Sequence, residues 1–356
     1  MRRYACNNNC LGSDEGRLLL PTESPGPHIS YPLVRCGGAG LSKPQQKTLG
    51  ENGELRLFVG DALAALDKLN DQSVQLIVTS PPYNLRKVYE RGDSMSLPEY
   101  IEWLTPIITK LHAKLTEGGS ICWQAGNFVR DGEVFPLDVF FYEIFTKLGM
   151  KLRNRIIWRF NFGLHATKRL SGRYETLLWF TKSDQYTFNL DPIRVPQLYP
   201  GKKHATTKGA ARAGKPSGNP LGKNPSDFWT FSAQDMFEAN PVWDIPNVKA
   251  NHPELTIHPC QFPHELAERC VLAFTEPGDT VLDPFVGAGT TVIAALKADR
   301  QAIGIDKNPE YIVLTKNRVE GLWEGRLKLR RSGSGVMQPE PTRAVTKVPT
   351  EWTKAK

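Results

Sequence analysis

No stretch of the chain comes near the roughly 20 consecutive apolar residues that a bilayer-spanning helix needs, so no membrane partner is expected. The N-terminus, Met1-Arg2-Arg3-Tyr4, has no apolar core behind it and does not read as a secretory signal. Cysteine is scarce, and six in 356 residues make no disulfide scaffold. Cys6, Cys10 and Cys36 match no zinc-ligand spacing, so no metal is expected. Acidic residues are missing from one long segment. From Arg194 to Lys223 the charged residues are Arg194, Lys202, Lys203, Lys208, Arg212, Lys215 and Lys223, all basic. With a net charge of +8, this segment points to a polyanionic partner.

What is present is the pattern of a soluble α/β protein. Short apolar runs alternate with amphipathic ones. Strands are predicted over 55–59, 74–78, 121–123, 155–160, 176–181, 186–189, 280–283 and 301–305. Helices are predicted over 62–69, 97–115 (stopped by Gly118-Gly119), 134–148, 263–274, 290–298 and 309–322. Five segments follow: a loosely structured arm over 1–50, ordered structure over 51–190, a basic, Gly- and Pro-rich region over 191–257, ordered structure again over 258–325, and a polar, disordered tail over 326–356.

Two turns carry the chemistry. Thr79-Ser80-Pro81-Pro82-Tyr83-Asn84 leaves the apolar strand 74–78. Asp283-Pro284-Phe285-Val286-Gly287-Ala288-Gly289-Thr290-Thr291 leaves the strand 280–283. Turns of this kind sit at the carboxyl edge of a sheet, where open α/β folds bind ligands. In the first, Pro81 lacks an N–H but keeps a free carbonyl acceptor, and the Ser80 hydroxyl is a second. Two acceptors converging on an exocyclic amino group draw its lone pair out of ring conjugation. Tyr83 offers a face for a base to stack on. A proline-stiffened strand exit with a packed tyrosine fits the same residues. In the second turn, Gly287 and Gly289 remove side chains where a backbone approaches a ligand. Asp306, closing the next strand, can accept from both hydroxyls of a ribose. No Gly-Lys-Ser/Thr follows, and the third glycine of a dinucleotide fingerprint is missing. A ligand with a ribose and no pyrophosphate, such as S-adenosylmethionine, fits this turn, and so does a tight βα connection without a ligand.

Taken together and in this order, the two turns resemble the amino-group DNA methyltransferases of the circularly permuted beta class, in which the catalytic turn precedes the cofactor turn. Gly60-Asp61-Ala62-Leu63 is similar to the segment that contacts the cofactor adenine in that class. His258-Pro259-Cys260-Gln261-Phe262-Pro263 is similar to its His-Pro-Thr-Gln-Lys-Pro motif, with Cys260 and Phe262 in place of Thr and Lys. The resemblance implies a doubly wound, mostly parallel sheet of the S-adenosylmethionine-dependent methyltransferase type, circularly permuted, with a target-recognition region inserted at 191–257. It implies Ser80, Pro81, Pro82 and Tyr83 as catalytic residues. It implies Asp61, His258, Pro259, Asp283, Phe285, Gly287, Gly289, Thr290 and Asp306 as cofactor-binding residues, and the seven basic residues of 194–223 as DNA contacts.

The implied reaction moves a methyl group from S-adenosylmethionine to an amino group of a base in double-stranded DNA. Serine at the first catalytic position accompanies cytosine-N4 methylation more often, and adenine-N6 is the alternative. A companion restriction endonuclease, a prokaryotic cytoplasmic setting, and a monomer or homodimer are expected on the same ground. Pro259-Cys260-Gln261 is also similar to the nucleophile motif of cytosine-C5 methyltransferases, but it lies before the glycine turn and not after it. RNA and protein methyltransferases with a related turn carry the cofactor motif first. A DNA-binding protein without catalysis would have lost Ser80 or the glycines, and both are intact. His165, Lys168-Arg169 and Arg173-Tyr174-Glu175 are further candidates near DNA or the target base, with structural roles equally open.

Overall fold

The computed structural model describes residues 45–49, 54–83, 95–130, 132–160, 165–197, 201–204, 213–229, 248, 252–258 and 260–330. Eleven strands appear among them: β1 Gln45–Leu49, β2 Leu55–Val59, β3 Val74–Thr79, β4 Leu115–Ala125, β5 Asn127–Arg130, β6 Glu133–Pro136, β7 Lys151–Arg159, β8 Tyr174–Thr181, β9 Phe228–Trp229, β10 Thr280–Asp283 and β11 Gln301–Asp306. The helices are α1 Ala62–Leu66, α2 Leu97–Lys114, α3 Leu137–Lys147, α4 His264–Phe274, α5 Thr290–Lys297 and α6 Pro309–Trp323.

Nine strands form one sheet in the order β1-β2-β11-β10-β3-β4-β8-β7-β9, and β5 and β6 form a separate hairpin. β2, β11, β10, β3 and β4 run parallel. β8 is antiparallel to β4 and to β7. This is the mostly parallel α/β sheet expected from the sequence. The direction of winding reverses between β10 and β3. From β3 the chain steps to β4 on one side, and from β10 it steps to β11 on the other. The loops leaving β3 and β10 therefore diverge and open a crevice between them.

Alternation along the strands fills both faces. Leu57, Leu76, Val78 and Val281 face one core layer with Leu266, Val271, Val292 and Val319 from α4, α5 and α6. Phe58, Ile77, Ile121, Leu282 and Ile303 face the other, with Leu66, Leu104, Leu111 and Phe141 from α1, α2 and α3. Both faces are covered, which is why the parallel strands read as nearly unbroken apolar runs.

Several predicted elements change shape. The helix over 62–69 ends at Leu66, with Leu69 buried in the turn that follows. The helix over 97–115 is not stopped by glycine. It passes at Leu115 directly into β4, and Gly118 and Gly119 lie inside that strand. A Cβ on Gly118 would meet the Gln185 carbonyl oxygen at 2.9 Å, so a close crossing requires the glycine there. The helix over 134–148 loses its start to β6, and Leu137 is its first residue. Residues 186–189 form no strand. Their aromatic rings pack flat or edge-on instead, Phe188 and Tyr186 lying 5.5 and 5.6 Å from Trp179. β1, inside the segment read as an arm, pairs antiparallel with β2. Cys6, Cys10 and Cys36 lie outside the described residues.

Trp123 is fully buried at the centre of the second layer, with its ring against Phe141, Phe145 and Phe285. Trp123→Ala should cost about 3–5 kcal/mol, read as a lower urea midpoint at unchanged slope. A loss below about 1 kcal/mol would mean that the neighbouring rings collapse to fill the space.

Candidate functional site

Four strand ends build the crevice. β2 ends in Gly60, whose N–H donates to the Asp306 carbonyl at 2.9 Å and whose φ of 147° lies outside ordinary side-chain space. Asp61 follows as the N-cap of α1 and accepts from the Ala64 N–H. β3 ends in Ser80, Pro81, Pro82 and Tyr83. β10 leads to Pro284 and Phe285, and β11 ends in Asp306. These groups, with His258, Cys260 and Tyr311, surround one cavity of about 210 Å³.

The turn after β3 is held from three directions. Tyr100 of α2 donates to the Pro82 carbonyl at 2.6 Å. The Ser80 hydroxyl donates to the Tyr83 hydroxyl at 3.1 Å, which donates to Glu175 Oε2 at 3.3 Å. Gln124 donates to the same carboxylate oxygen. The Tyr83 ring lies so close to Gly126 that a Cβ there would approach it to 3.0 Å. Burial, then the neighbouring Glu175 carboxylate, pushes the Tyr83 phenol well above its ordinary range, so it stays protonated.

The glycine turn after β10 is clamped by protein. Gly287 donates its N–H to Asp306 Oδ2 at 2.9 Å and accepts from Thr315 Oγ1 at 3.1 Å. Arg318 donates to the Ala288 carbonyl. Gly287 and Gly289 have φ of 47° and 77°. A Cβ on Gly287 would meet His258 Nε2 at 2.8 Å, and one on Gly289 would meet Thr315 Cγ2 at 2.6 Å. In the structure the space these glycines leave is filled by His258 and Thr315. His258 Nδ1 accepts from the Cys260 N–H at 3.3 Å, and the ring lies 4.6 Å from Tyr311. Burial lowers its pKa to about 4, so the imidazole is neutral at physiological pH, with its proton on Nε2.

The structure thus brings Asp61, Ser80, Pro81, Pro82, Tyr83, His258, Phe285 and Asp306 to one cavity. Asp283, Gly287, Gly289 and Thr290 are buried and do not line it, and Pro259 is outside the described residues. None of the described residues of the basic segment lines the cavity; they are tied by bridges between Val195 and Lys223 and between Lys203 and Pro216. Lys202, Lys203 and Lys215 are exposed there, and Lys223 is half-buried. Arg194 is engaged with Asp191 at 2.6 Å and with the Gly222 carbonyl at 3.0 Å. Lys208 and Arg212 fall outside the described residues.

Sequence reasoning missed the aromatic wall from α2, Tyr100 and Trp103, because a buried face of an amphipathic helix gives no separate signal for lining a cavity. It also missed Asn308, which caps α6 through the Glu310 N–H. The Asn-Pro pair at 308–309 is a helix-start signal that marks it.

The lining suits a nucleoside with a ribose. Rings of Phe285, Trp103 and Tyr100 offer apolar faces, and Asp306 and Asp61 offer carboxylate acceptors. Lys307 is the one lysine or arginine among the described lining residues, against two carboxylates, which disfavours a pyrophosphate. Burial raises the pKa of Asp306, while hydrogen bonds from the Asn308 and Gly287 N–H groups oppose the shift.

The sequence model of the N6/N4 methyltransferase family, described as DNA methylase, matches residues 74–317. The type II methyltransferase M.BglII of Bacillus subtilis is 46% identical over 267 residues, 75% of this chain and 69% of that protein. The DNA adenine methyltransferase YhdJ of Escherichia coli strain K12 is 33% identical over 265 residues, 73% of this chain and 81% of that one. The solved structure of the cytosine-N4-specific PvuII DNA methyltransferase aligns with a TM-score of 0.54 at 19% identity, over 79% of this chain and 94% of that one. At that identity the match speaks for the fold.

Asp283 is fully buried and accepts from Thr79 Oγ1 at 2.7 Å and from the Phe285 N–H at 3.1 Å. Burial outweighs both bonds and raises its pKa to about 6. The folded state therefore holds this proton more tightly than the unfolded chain. The stability so gained is full below about pH 4 and is lost as pH rises through about 6, on the order of 3 kcal/mol. Asparagine keeps both acceptor contacts without the charge. Asp283→Asn should be more stable than the parent at about pH 7.5, with the gap closing toward about pH 4 in urea titrations. A gap independent of pH would show that the carboxyl is not perturbed.

Proposed function

The chain belongs to the N6/N4 family of DNA methylases, and from this we propose that it methylates the exocyclic N4 amino group of cytosine in duplex DNA at a specific site. The methyl donor is S-adenosylmethionine, which supplies a methyl group on a cationic sulfur. The observation that carries the choice of base is the neutral hydroxyl at the head of the catalytic turn. Ser80 donates its hydrogen to Tyr83, so its lone pairs are left as acceptors beside the Pro81 carbonyl. Two acceptors can pin both hydrogens of an amino group and turn its lone pair outward. The N4 nitrogen of cytosine carries enough electron density for a neutral acceptor to suffice. Adenine-N6 is the second reading, favoured by the 33% identity to a protein named a DNA adenine methyltransferase.

In this reading Asp306 holds the ribose, Asp61 and Phe285 border the nucleoside, and His258 braces the cofactor turn. An amino group paired in a duplex cannot reach the cavity, so the base leaves the stack at a cost of about a few kcal/mol. Tyr83 and its neighbours receive it. The nitrogen would take the methyl carbon directly as the S–CH3 bond breaks, the donor leaving as a neutral thioether and the amino group giving up one proton, and Cys260, on the cavity wall, would form no covalent intermediate with DNA. The exposed lysines of the basic segment bind phosphates. The names of the relatives support a type II modification role with a companion endonuclease, in a prokaryotic cytoplasm. No helix among the described residues is long and apolar enough to cross a membrane.

Methylation-aware sequencing of DNA from cells expressing the chain should report N4-methylcytosine at one short site. N6-methyladenine there would select the second reading, and unmodified DNA would reject both. Ser80→Ala should abolish most of the signal, while Cys260→Ser should keep it. Asp306→Ala should weaken S-adenosylmethionine binding ten- to a hundredfold, because charge-assisted hydrogen bonds of about 1.5–3 kcal/mol disappear. Unchanged affinity by calorimetry in a folded variant would remove Asp306 from the site. Lys202→Ala with Lys203→Ala should flatten the slope of log K against log salt by about 0.9 for each phosphate that is no longer neutralised. An unaltered slope would move the DNA face elsewhere.

A further inference from the structure

β8 lies antiparallel to β4 with Ala125 opposite Thr176, and β4 lies parallel to β3 with Trp123 opposite Thr79. The start of β8 is therefore at the same sheet edge as Ser80. The connection between β7 and β8, described at 160 and 165–173, joins the two strands at that edge. Its base is closed by the Phe160 N–H donating to the Arg173 carbonyl at 2.8 Å. Its tip is tightened by the Ala166 N–H donating to Ser171 Oγ at 3.2 Å. Glu175, two residues past this closure, is the carboxylate that receives the Tyr83 hydroxyl. The loop is thus anchored to the catalytic turn by one residue's reach.

At the tip stands Leu170, 93% exposed, the most exposed large apolar side chain among those described. Lys168 and Arg169 precede it, also exposed, and Arg173 follows. No acidic residue occurs from His165 to Tyr174. A leucine of this exposure forgoes the roughly 1.5–3 kcal/mol that burial would supply. Cations on both sides disfavour an apolar protein partner and favour a polyanion. Leu170 and Glu175 are five positions apart, at most about 18 Å of extended chain, so Leu170 stays near the pocket that takes the base.

We propose that Leu170 is a wedge that enters the DNA stack and fills the gap left by the extruded target base, with Lys168 and Arg169 seated on the flanking phosphates. The proposal rests on the reading of the cavity as a DNA amino-methyltransferase site. Apolar side chains inserted between base steps stabilise unstacked DNA in other architectures. Here the wedge would hold the duplex open while the base occupies the cavity. The energy at stake is that of unpairing and unstacking, so the wedge matters only where the target base begins paired.

The test compares single-turnover methylation of two short duplexes that carry the site found by sequencing. One is fully paired, and the other has an abasic position opposite the target base. Leu170→Ala should slow the paired duplex at least tenfold and the abasic duplex less than twofold, with S-adenosylmethionine affinity unchanged. Leu170→Phe, which keeps an apolar wedge, should stay close to the parent on both. Equal rates for Leu170→Ala and the parent on the paired duplex overturn the wedge and leave the methyltransferase reading standing. An equal loss on both duplexes also overturns it, because it marks a general DNA contact. A parent that transfers no methyl group to either duplex overturns the functional reading and the wedge together.

Discussion

One hydrogen bond joins the two halves of this molecule where they must meet. Thr79, the last residue of β3, donates to Asp283, the last residue of β10, across 204 positions of sequence. Thr291 adds a second link by donating to the Val78 carbonyl at 3.1 Å. The parallel ladder of β3 and β10 sets the spacing of the two strands, and this junction fixes their ends where the loops diverge. Asp283 also receives the Phe285 N–H, so the same carboxyl aims the ring that walls the cavity. That ring touches Trp103 of α2 and Trp123 of β4. The placement of the cavity wall thus descends from a polar contact in a dry interior, where an unpaired acceptor is costly and a paired one is directional.

The clamp on the glycine turn after β10 follows the same logic. Backbone groups of Gly287 and Ala288 would be unpaired in a loop leaving a strand. Asp306, Thr315 and Arg318 take them up from β11 and α6. Burial lowers the Arg318 pKa to about 10, still high enough to keep it charged at neutral pH. Glu254, also buried, faces it electrostatically and accepts from the His264 and Arg330 N–H groups. The segment before His258, the start of α4 and the chain after α6 are therefore tied at one point. That is why residues 326–330, read from sequence as part of a polar tail, lie against the body of the fold, with Leu327 and Leu329 on its core.

The parallel strands and the two functional turns were legible because their signals are local. An apolar run of five or six residues followed by Pro or Gly needs no knowledge of the rest of the chain. The ends of β2, β3, β10 and β11 fall within a residue of their predicted places. What was not legible depends on partners distant in sequence. The role of Gly287 is set by His258 and that of Gly289 by Thr315, and neither pairing is visible in a linear string. Gly118-Gly119 resembles a helix stop because nothing in sequence shows Gln185 crossing there. Tyr186 and Phe188 have strand propensity, but their rings pack on Trp179 and Phe274 instead, and that packing holds both of these rings buried. Of the hairpin, β6 was read as the start of the helix over 134–148, and β5 was given no element.

The strand order has a consequence for how the enzyme comes into being. β2 and β3 are made early, yet they are not neighbours, because β11 and β10 lie between them. A chain still emerging from the ribosome carries two parallel strands, each with a bare edge, until β10 and β11 have been synthesised. Before then the turn at Ser80 has no facing wall, because Phe285 and Asp306 arrive with those two strands. The cavity is therefore a product of the whole fold, closed by the pieces that are made late.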